Sequence, residues 1–236
     1  MKIATLLFIA IVFISSFGFA QSVTIGTQVW TTKNLDVATF RNGDAIPQAK
    51  TDEEWETAGE NSQPAWCYYE NNAANGTKYG KLYNWFAVID SRGLAPKGYH
   101  IPTDDEWKVL STFLGEDVAG KKMKSSSGWD GYNCQKCNGG SAEFKKICSA
   151  CKGTQSNSSE PFSGNGNNSS GFSGLPGGFR FSNGNFYDAG NYGSWRSASE
   201  YLGSDAWYRG LYSYYSALVR YYNHKNDGLS VRCVRD

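Results

Sequence analysis

Four cysteines in two short pairs are the residues whose types and spacing point most directly to chemistry. They form two Cys-x-x-Cys-x-Gly units, built from Cys134, Cys137, Cys148 and Cys151. Four thiolates satisfy the tetrahedral coordination of Zn²⁺ at Zn–S distances of about 2.3 Å, and they leave no position open for water or substrate. The glycine after each pair lets the backbone turn its N–H groups toward the sulfurs. The pattern therefore predicts a structural zinc site.

An export signal is predicted at the start of the chain. Lys2 precedes an apolar stretch over residues 3–14, and small residues at 18 and 20 fit a signal peptidase site, so cleavage is expected before Gln21. The apolar stretch is too short to cross about 30 Å of hydrocarbon, which argues against a transmembrane segment. We expect residues 1–20 to be a signal peptide and the mature protein to be secreted, periplasmic or on the cell surface.

Export leaves a second interpretation of the four cysteines, because an oxidising compartment permits two crosswise disulfides in place of the metal. The repeated glycine favours zinc, since metal coordination uses the turn that it allows and a disulfide does not need it. Either interpretation gives an insertion at about residues 130–153 that is held by its own cross-links.

The chain is close to electrically neutral, with 23 basic and 22 acidic residues, so attraction to phosphate backbones or anionic membranes is not expected. Nucleic acid is therefore excluded as an expected partner. The length of residues 21–236 suits one domain. Abundant aromatic and glycine residues, together with a scarcity of long amphipathic runs, favour an α+β fold with short strands and long loops.

Two helices are predicted from reciprocal capping signals. Thr51 and Thr103 each stand three residues before a glutamate, which is the capping-box pattern. Asp104, Asp105 and Glu106 suit the positive end of a helix, and this role is favoured over an acid/base or metal cluster. The second helix is expected to end at Gly115 and to bury one apolar stripe, formed by Trp107, Val109, Leu110, Phe113 and Leu114.

Alternating and aromatic runs predict strands in both halves of the chain, including a hairpin around the Asn-Gly turn at 183–184. The expected strands are 23–25, 28–31, 178–181, 185–187, 195–199, 206–212, 216–222 and 230–234, with a weak helical stretch at 116–124. Residues 153–178 are rich in glycine, serine and asparagine, and we expect a surface loop that is too polar to contribute to the core.

Catalytic and calcium-binding patterns are not evident. His100 is interpreted as a hydrogen-bonded structural residue, because the sequence identifies no partner for a general base, and His224 as an exposed turn residue. Oxygen ligands for Ca²⁺ occur without the regular loop spacing of calcium sites, so turn roles are favoured. These ligands are Asp205, Asn223, Asn226 and Asp227.

An aromatic tract in the C-terminal third is the candidate binding region. Trp207, Arg209 and Leu211 alternate with Tyr208 and Tyr212, so one face is expected in the core and the other in solvent. Exposed tyrosines stack on sugar C–H surfaces and hydrogen-bond through their hydroxyls. Cross-strand aromatic packing is the alternative, because the pattern does not show which face is exposed. The candidate binding residues are Trp195, Trp207, Tyr208, Tyr212 and Tyr222, with Arg209 and Asn223 as polar partners.

Sequence blocks at residues 29–35, 65–69, 79–85, 174–178 and 230–236 occur in order along the chain. Together they resemble the Fibrobacter succinogenes major paralogous domain, and the resemblance covers residues 21–236. The four-cysteine segment is similar to an insertion in part of that family. The resemblance implies a bacterial exported or surface protein, and it implies no particular biochemical activity.

Residues 100–107 and 231–235 are similar to segments of the formylglycine-generating enzyme group, whose architecture is C-type-lectin-like. This resemblance implies small twisted antiparallel sheets, two short helices, long loops and a last strand beside the first. With an oxidising compartment, it also implies a disulfide between Cys67 and Cys233, the cysteines outside the four-cysteine segment. The cysteine pair of the enzyme group and the calcium-binding triplets of lectins are absent from the sequence.

We therefore expect an exported, non-catalytic recognition or surface-interaction module that binds a glycan or a cell-envelope protein. A structural envelope component is the alternative, and an enzyme of the formylglycine-generating kind is a further one. Exposed aromatic residues lining a concavity would favour recognition, their absence would favour the structural role, and paired cysteines in an open cleft would favour the enzyme.

Elemental analysis of the purified mature protein is expected to give about one zinc per chain. Cys137→Ser is expected to lose the metal, because three remaining sulfurs form a poorer tetrahedral site. Zinc-free protein without free thiols in this segment would contradict the metal site and establish the crosswise disulfides.

Overall fold

A computed structural model describes residues 21–131 and 164–236 of the protein. The predicted signal peptide and the four-cysteine segment, with its zinc and disulfide alternatives, lie outside the described residues. Helices and strands are mixed in the described ranges, which confirms the α+β class.

The strands are β1 (Ser22–Ile25), β2 (Gln28–Thr31), β3 (Trp66–Cys67), β4 (Leu82–Tyr83), β5 (Tyr99–His100), β6 (Gly177–Arg180), β7 (Phe186–Ala189), β8 (Tyr192–Leu202), β9 (Asp205–Tyr212), β10 (Val219–His224) and β11 (Val234–Arg235). The helices are α1 (Asp52–Glu60), α2 (Ala73–Tyr79), α3 (Trp85–Val88), α4 (Asp104–Leu114) and α5 (Ala119–Met123), with a 3₁₀ turn at Tyr69–Asn71.

Three sheets organise the described strands. The predicted hairpin of β1 and β2 joins a four-stranded sheet in the order β1-β2-β11-β5, and β3 pairs with β4. The third sheet has five strands in the order β10-β9-β8-β6-β7, and it includes the predicted hairpin of β6 and β7. Its pairs are antiparallel except for β6 with β8, which are parallel.

The segment over residues 229–235 joins these sheets and is less regular than the predicted strand over 230–234. Its carbonyls accept hydrogen bonds from β2, β4 and β8 in turn: Thr31 N–H donates to Cys233 O at 3.0 Å, Tyr83 N–H to Leu229 O at 2.9 Å, and Arg196 N–H to Ser230 O at 3.0 Å. Because successive residues pair with different strands, a continuous ladder forms only at β11.

Both predicted capping boxes are present. Thr51 Oγ1 accepts the N–H of Glu54 at 3.1 Å, and Thr103 Oγ1 accepts the N–H of Glu106 at 3.2 Å. Each glutamate carboxylate accepts the N–H of its capping threonine in return. The described ranges contain five α-helices: the two with capping boxes, α5 within the predicted helical stretch at 116–124, and α2 and α3, which were not expected. The asparagine side chains that cap α2 and α3 have no reciprocal glutamate, so the capping-box pattern does not reveal these short helices.

The buried face of α4 is narrower than the sequence pattern indicates. Trp107, Leu110 and Leu114 are buried, whereas Val109 is 48% exposed and Phe113 is 63% exposed. The Phe113 ring covers the hairpin turn, where a Cβ on Gly26 would lie 3.0 Å from the ring. Glycine therefore fits this turn both through its positive φ of 62° and through its lack of a side chain.

Three apolar clusters form the core of the described chain. The second cluster contains Trp30 and Trp107, whose ring centroids lie 4.6 Å apart, and Phe172, whose ring lies edge-on 5.5 Å from Trp195. Phe172 belongs to the loop predicted to be too polar for the core, and it is fully buried. That prediction is wrong for this residue, because average composition conceals a single anchoring aromatic ring.

Arg232 is a fully buried cation between the first hairpin and the loop that carries Phe172. Its guanidinium donates to Asn34 Oδ1 and Thr31 O at 2.7 Å, to Phe172 O at 2.8 Å and to Ser173 O at 3.1 Å. Burial lowers the pKa of Arg232 to about 9, which leaves the side chain protonated at neutral pH. One buried cation thus links chain segments that are otherwise separate.

The predicted disulfide between Cys67 and Cys233 is absent, because both residues are buried free thiols. Successive residues of a strand point to opposite faces, so Trp66 and Cys67 enter different core clusters. Cys233 packs in the cluster of Trp66, whereas Cys67 packs in a different one. Burial raises the pKa of each thiol to about 12, which disfavours the thiolate needed for exchange or catalysis.

The residues that border the four-cysteine segment meet at the surface of the fold. Trp129 N–H donates to Asn165 Oδ1 at 2.9 Å, and Gly166 N–H donates to Ser125 O at 3.0 Å. Asp130 N–H donates to Gly190 O at 2.8 Å, in the turn between β7 and β8. The segment therefore leaves and rejoins the described fold at neighbouring points.

Arg232→Met is expected to lower the free energy of unfolding by about 3 kcal/mol, because it leaves several buried acceptors without donors. The matched control is Arg235→Met, three residues along the chain and exposed, with an expected change within about 0.5 kcal/mol. Urea unfolding followed by tryptophan fluorescence measures both. Equal effects of the two substitutions would contradict a special role for Arg232.

Candidate ligand-binding surface

The five-stranded sheet has one face in the core and an opposite face that carries aromatic side chains. Trp195 of β8 and Leu211 of β9 are fully buried in the second core cluster. Because side chains alternate along a strand, Tyr192 of β8 and Tyr208 and Tyr212 of β9 lie on the opposite face. We name the connected aromatic side chains on this face the aromatic row: Phe179, Phe181, Tyr187, Tyr192, Tyr208, Tyr212, Tyr214 and Tyr221.

Ring contacts continue from strand to strand across the sheet. The ring of Phe179 on β6 stacks with Tyr187 of β7 at 6.1 Å and with Tyr192 of β8 at 6.4 Å between centroids. The Tyr192 ring in turn lies 4.4 Å from that of Tyr212 on β9. On the edge strand β10, Tyr221 lies opposite Tyr208 of β9, and their ring centroids are 6.4 Å apart.

Hydroxyl pairs fix the tyrosine rings relative to one another. The hydroxyls of Tyr192 and Tyr214 lie 3.1 Å apart, and those of Tyr208 and Tyr212 lie 3.4 Å apart. The hydrogen bond to Tyr214, together with burial, raises the pKa of Tyr192. Burial and the bond to Tyr208 likewise raise the pKa of Tyr212, so these phenols remain neutral at physiological pH.

The aromatic row is accessible where its members are not packed on one another. Phe181 is 41% exposed, Tyr187 40%, Tyr214 50% and Tyr221 54%. Phe179, Tyr192, Tyr208 and Tyr212 are partly buried. The row therefore presents ring surface to solvent most fully at Phe181, Tyr187, Tyr214 and Tyr221.

Residues 192–196, 208–212 and 219–223 contribute one charged side chain to this face, that of Arg196. This side chain is fully buried. Its guanidinium donates to Asn223 Oδ1 and, at 2.7 Å each, to the carbonyls of His224 and Asp227. Burial lowers the pKa of Arg196 to about 10. The Arg196 guanidinium thus donates to internal acceptors, and the accessible part of the face over these residues is neutral.

Lys124 holds the turn that carries Tyr214. Its ammonium donates to Tyr212 O at 2.9 Å and to Ser213 O and Tyr215 O at 3.1 Å each. Burial lowers the pKa of Lys124 to about 8. These carbonyls lie at the last residue of β9 and just beyond it, so the lysine provides hydrogen bonds where the strand ladder ends.

The sequence-predicted binding residues do not share one environment. Tyr208 and Tyr212 lie in the aromatic row. Trp195 does not, because it is 0% exposed and its indole N–H donates to Asn34 Oδ1 at 2.8 Å within the core. Asn223 is occupied by Arg196 beneath the face. Of the predicted residues, the aromatic row therefore contains Tyr208 and Tyr212 and excludes Trp195.

Arg209 and Trp207 lie on the reverse side of the sheet. Tyr222 pairs with Trp207, and its ring also stacks on Tyr221 of the aromatic row at 4.9 Å between centroids. Arg209 is 2% exposed and forms an ion pair with Asp104, which also pairs with Arg220 at 2.8 Å. Burial alone would raise the pKa of Asp104, but hydrogen bonds from Arg220 and Arg209 lower it overall. Arg220 stacks on Trp207 at 3.4 Å from the ring centroid, so this face is tied to α4.

Most members of the aromatic row were not among the predicted binding residues. Phe179 and Phe181 are two residues apart and Tyr187 pairs with Phe179, a pattern that places the three side chains on one face of the β6–β7 hairpin. The sequence shows that hairpin, but the parallel pairing of β6 with β8 is what aligns it with the tyrosines of β9. No local signal reports that long-range pairing.

His100 has both ring nitrogens occupied by carboxylates. Nε2 lies 2.6 Å from Glu106 Oε1, and Nδ1 lies 2.9 Å from Asp236 Oδ1. Burial alone would lower the pKa of His100, but the two hydrogen bonds raise it overall. The histidine links α4 to the segment after β11, which fits the structural role predicted for it.

Metal-binding clusters of three or more His, Cys, Asp or Glu residues are absent from residues 21–131 and 164–236. Asp227, a candidate calcium ligand, is buried and accepts the Ser182 N–H at 2.8 Å. Its carboxylate is therefore committed to the β6–β7 turn.

The model of the Fibrobacter succinogenes major domain family matches residues 23–235, nearly all of the chain after the predicted signal peptide. The chain belongs to this family. No curated protein and no solved structure gives a significant match. In the described part of this Fibrobacter succinogenes major domain, no helix has the length and apolar character needed to cross a membrane.

The free energy of unfolding is expected to fall as the pH rises above about 6.5, the ordinary value for histidine. The pKa of His100 is raised in the folded state, so its contribution is complete below the unfolded pKa and is lost as the pH passes the folded pKa. His100→Asn is expected to remove this pH dependence, and His224→Asn, the matched control, to keep it. Urea unfolding between pH 5.5 and 8.5 checks both, and an unchanged slope in His100→Asn would contradict the assignment.

Proposed function

We propose that this protein is an exported, non-catalytic recognition module whose aromatic row binds carbohydrate. The observation that carries the proposal is the aromatic row itself, which lies on the sheet face opposite the core and exposes ring faces from both edge strands. Aromatic rings offer sugars a flat apolar surface for their C–H groups, while phenolic hydroxyls hydrogen-bond to sugar hydroxyls. The exposed rings also contact neighbouring rings of the row and are not scattered singly, and contiguous exposed apolar surface is typical of an interaction site.

Preorganisation supports this proposal. The hydroxyl pairs and ring stacking already order the aromatic row before any ligand arrives, which reduces the side-chain entropy lost on binding. Lys124 and Arg196 fix the adjoining turn and strand end from below. An envelope protein that docks a neutral, tyrosine-rich surface is the second candidate partner, and the experiment below separates it from a glycan.

We further propose that the chain adopts a C-type-lectin-like arrangement and acts outside the cytoplasm. Support for the arrangement comes from the terminal strand β11, which lies beside the N-terminal hairpin. Support for export comes from the sequence of residues 1–20. An enzyme of the formylglycine-generating kind is disfavoured, because Cys67 and Cys233 are buried in different clusters with raised pKa values.

A glycan array and pull-downs with insoluble polysaccharides and cell-envelope extracts test the proposed function. Tyr212→Ala and Tyr214→Ala are expected to weaken glycan binding about tenfold or more, because each removes a ring from the aromatic row. Tyr215→Ala is the matched control, since Tyr215 is 51% exposed, Tyr214 is 50% exposed, and only Tyr214 belongs to the aromatic row.

The outcomes distinguish the candidate functions, provided that urea midpoints show each variant to be folded. Glycan binding that survives both row substitutions would move the site elsewhere. Capture of an envelope protein without any glycan, lost in Tyr212→Ala, would favour the protein partner. Binding to neither class of target would favour a structural envelope component.

A further inference from the structure

The aromatic row runs from one edge of the five-stranded sheet to the other. Tyr187 lies on β7 and Tyr221 lies on β10, and these are the two edge strands. Strands spaced by about 4.8 Å place the outer strands of a five-stranded sheet about 19 Å apart along the sheet. That length exceeds one sugar ring several times over, so a monosaccharide would leave most of the aromatic row uncovered.

Both ends of the aromatic row are open among the described residues. Tyr187 and Tyr221 are 40% and 54% exposed, and their strands have a neighbour on one side only within the described sheet. A site for the end of a sugar chain needs a wall that stops the next residue. A surface that reaches both edges of the sheet instead allows a polymer to continue past either side.

The charge of the aromatic row selects against acidic polymers. Arg196 is buried and its guanidinium donates to internal acceptors, so it offers no accessible cation for a carboxylate or sulfate. At the β7 end, Asp188 is an exposed acidic residue, and its negative charge contributes to the raised pKa of Tyr192. Because Arg196 is engaged internally and the residue next to Tyr187 is an aspartate, an acidic polymer gains no charge-assisted hydrogen bond from either residue.

We infer that the aromatic row accepts an internal segment of an unbranched, neutral polysaccharide that lies across the strands from β7 to β10. This inference rests on the proposed function and adds the class and the bound length of the ligand. Tyr192 and Tyr212, with centroids 4.4 Å apart, form the centre of the site, and Tyr187 and Tyr221 form outer contacts that only a longer chain reaches.

Calorimetric titration of the mature protein with β-1,4-linked glucose, xylose and mannose oligomers of two to six residues tests this inference, with polygalacturonate as the anionic probe. The hexasaccharide of the preferred sugar is expected to bind about tenfold or more tightly than its disaccharide, because additional rings are covered. Tyr187→Ala and Tyr221→Ala are expected to weaken the hexasaccharide severalfold and to leave the disaccharide unchanged. Tyr212→Ala is expected to weaken both, and Tyr215→Ala neither.

The inference and the proposed function fail in different ways. Equal affinity for disaccharide and hexasaccharide, with binding still lost in Tyr212→Ala, would overturn the inference and leave the proposed function standing. Tighter binding of polygalacturonate than of every neutral oligomer would overturn the neutral class. No binding of any of these oligomers or of their insoluble parent polysaccharides would overturn the inference, and a glycan array without any bound glycan would overturn the proposed function as well. Folded variants are identified by their urea midpoints before titration.

Discussion

Buried cations that donate to main-chain carbonyls are the interaction on which the rest of this structure depends. Arg232 joins the first hairpin to the loop of Phe172, and Arg180 donates to Gly184 O at 2.8 Å, to Thr51 O at 2.9 Å and to Ala49 O at 3.2 Å. Irregular segments carry carbonyls that no sheet or helix satisfies. A guanidinium with five donors satisfies several of them at one point, so a chain of short strands can still enclose long loops.

Burying these arginine side chains costs hydration free energy, and the groups packed around each guanidinium offset that cost. A buried cation loses its hydration, and Arg232 and Arg196 have lowered pKa values for that reason. Neutral carbonyls and aromatic faces replace the water: the Arg232 guanidinium lies 4.5 Å from the Phe172 centroid, and that of Arg180 lies 4.9 Å from Trp55. Arg196 and Lys124 extend the same arrangement beneath and beside the aromatic row, so the rigidity of the candidate site and the integrity of the core have a common origin.

Local features could be predicted from the sequence, and features set by distant pairing could not. The capping boxes at Thr51 and Thr103 and the two hairpins depend on residues a few positions apart, and the structure contains them all. Trp195 and Cys67 could not be placed, because an alternating pattern defines two faces without saying which one meets the core. The aromatic row depends on β6 pairing in parallel with β8, and the sequence of neither strand encodes that choice.

The hydrogen bond between Trp129 and Asn165 brings together the two points at which the four-cysteine segment joins the fold, and this affects how the fold tolerates changes in that segment. A loop whose two ends are held together affects the remaining fold mainly through its closure entropy, which rises by only about 0.6 kcal/mol for each doubling of length. As far as loop closure is concerned, a longer or shorter segment, or a foreign module, between these two points therefore changes the free energy of the scaffold little. Near β8 the fold thus offers a natural grafting position.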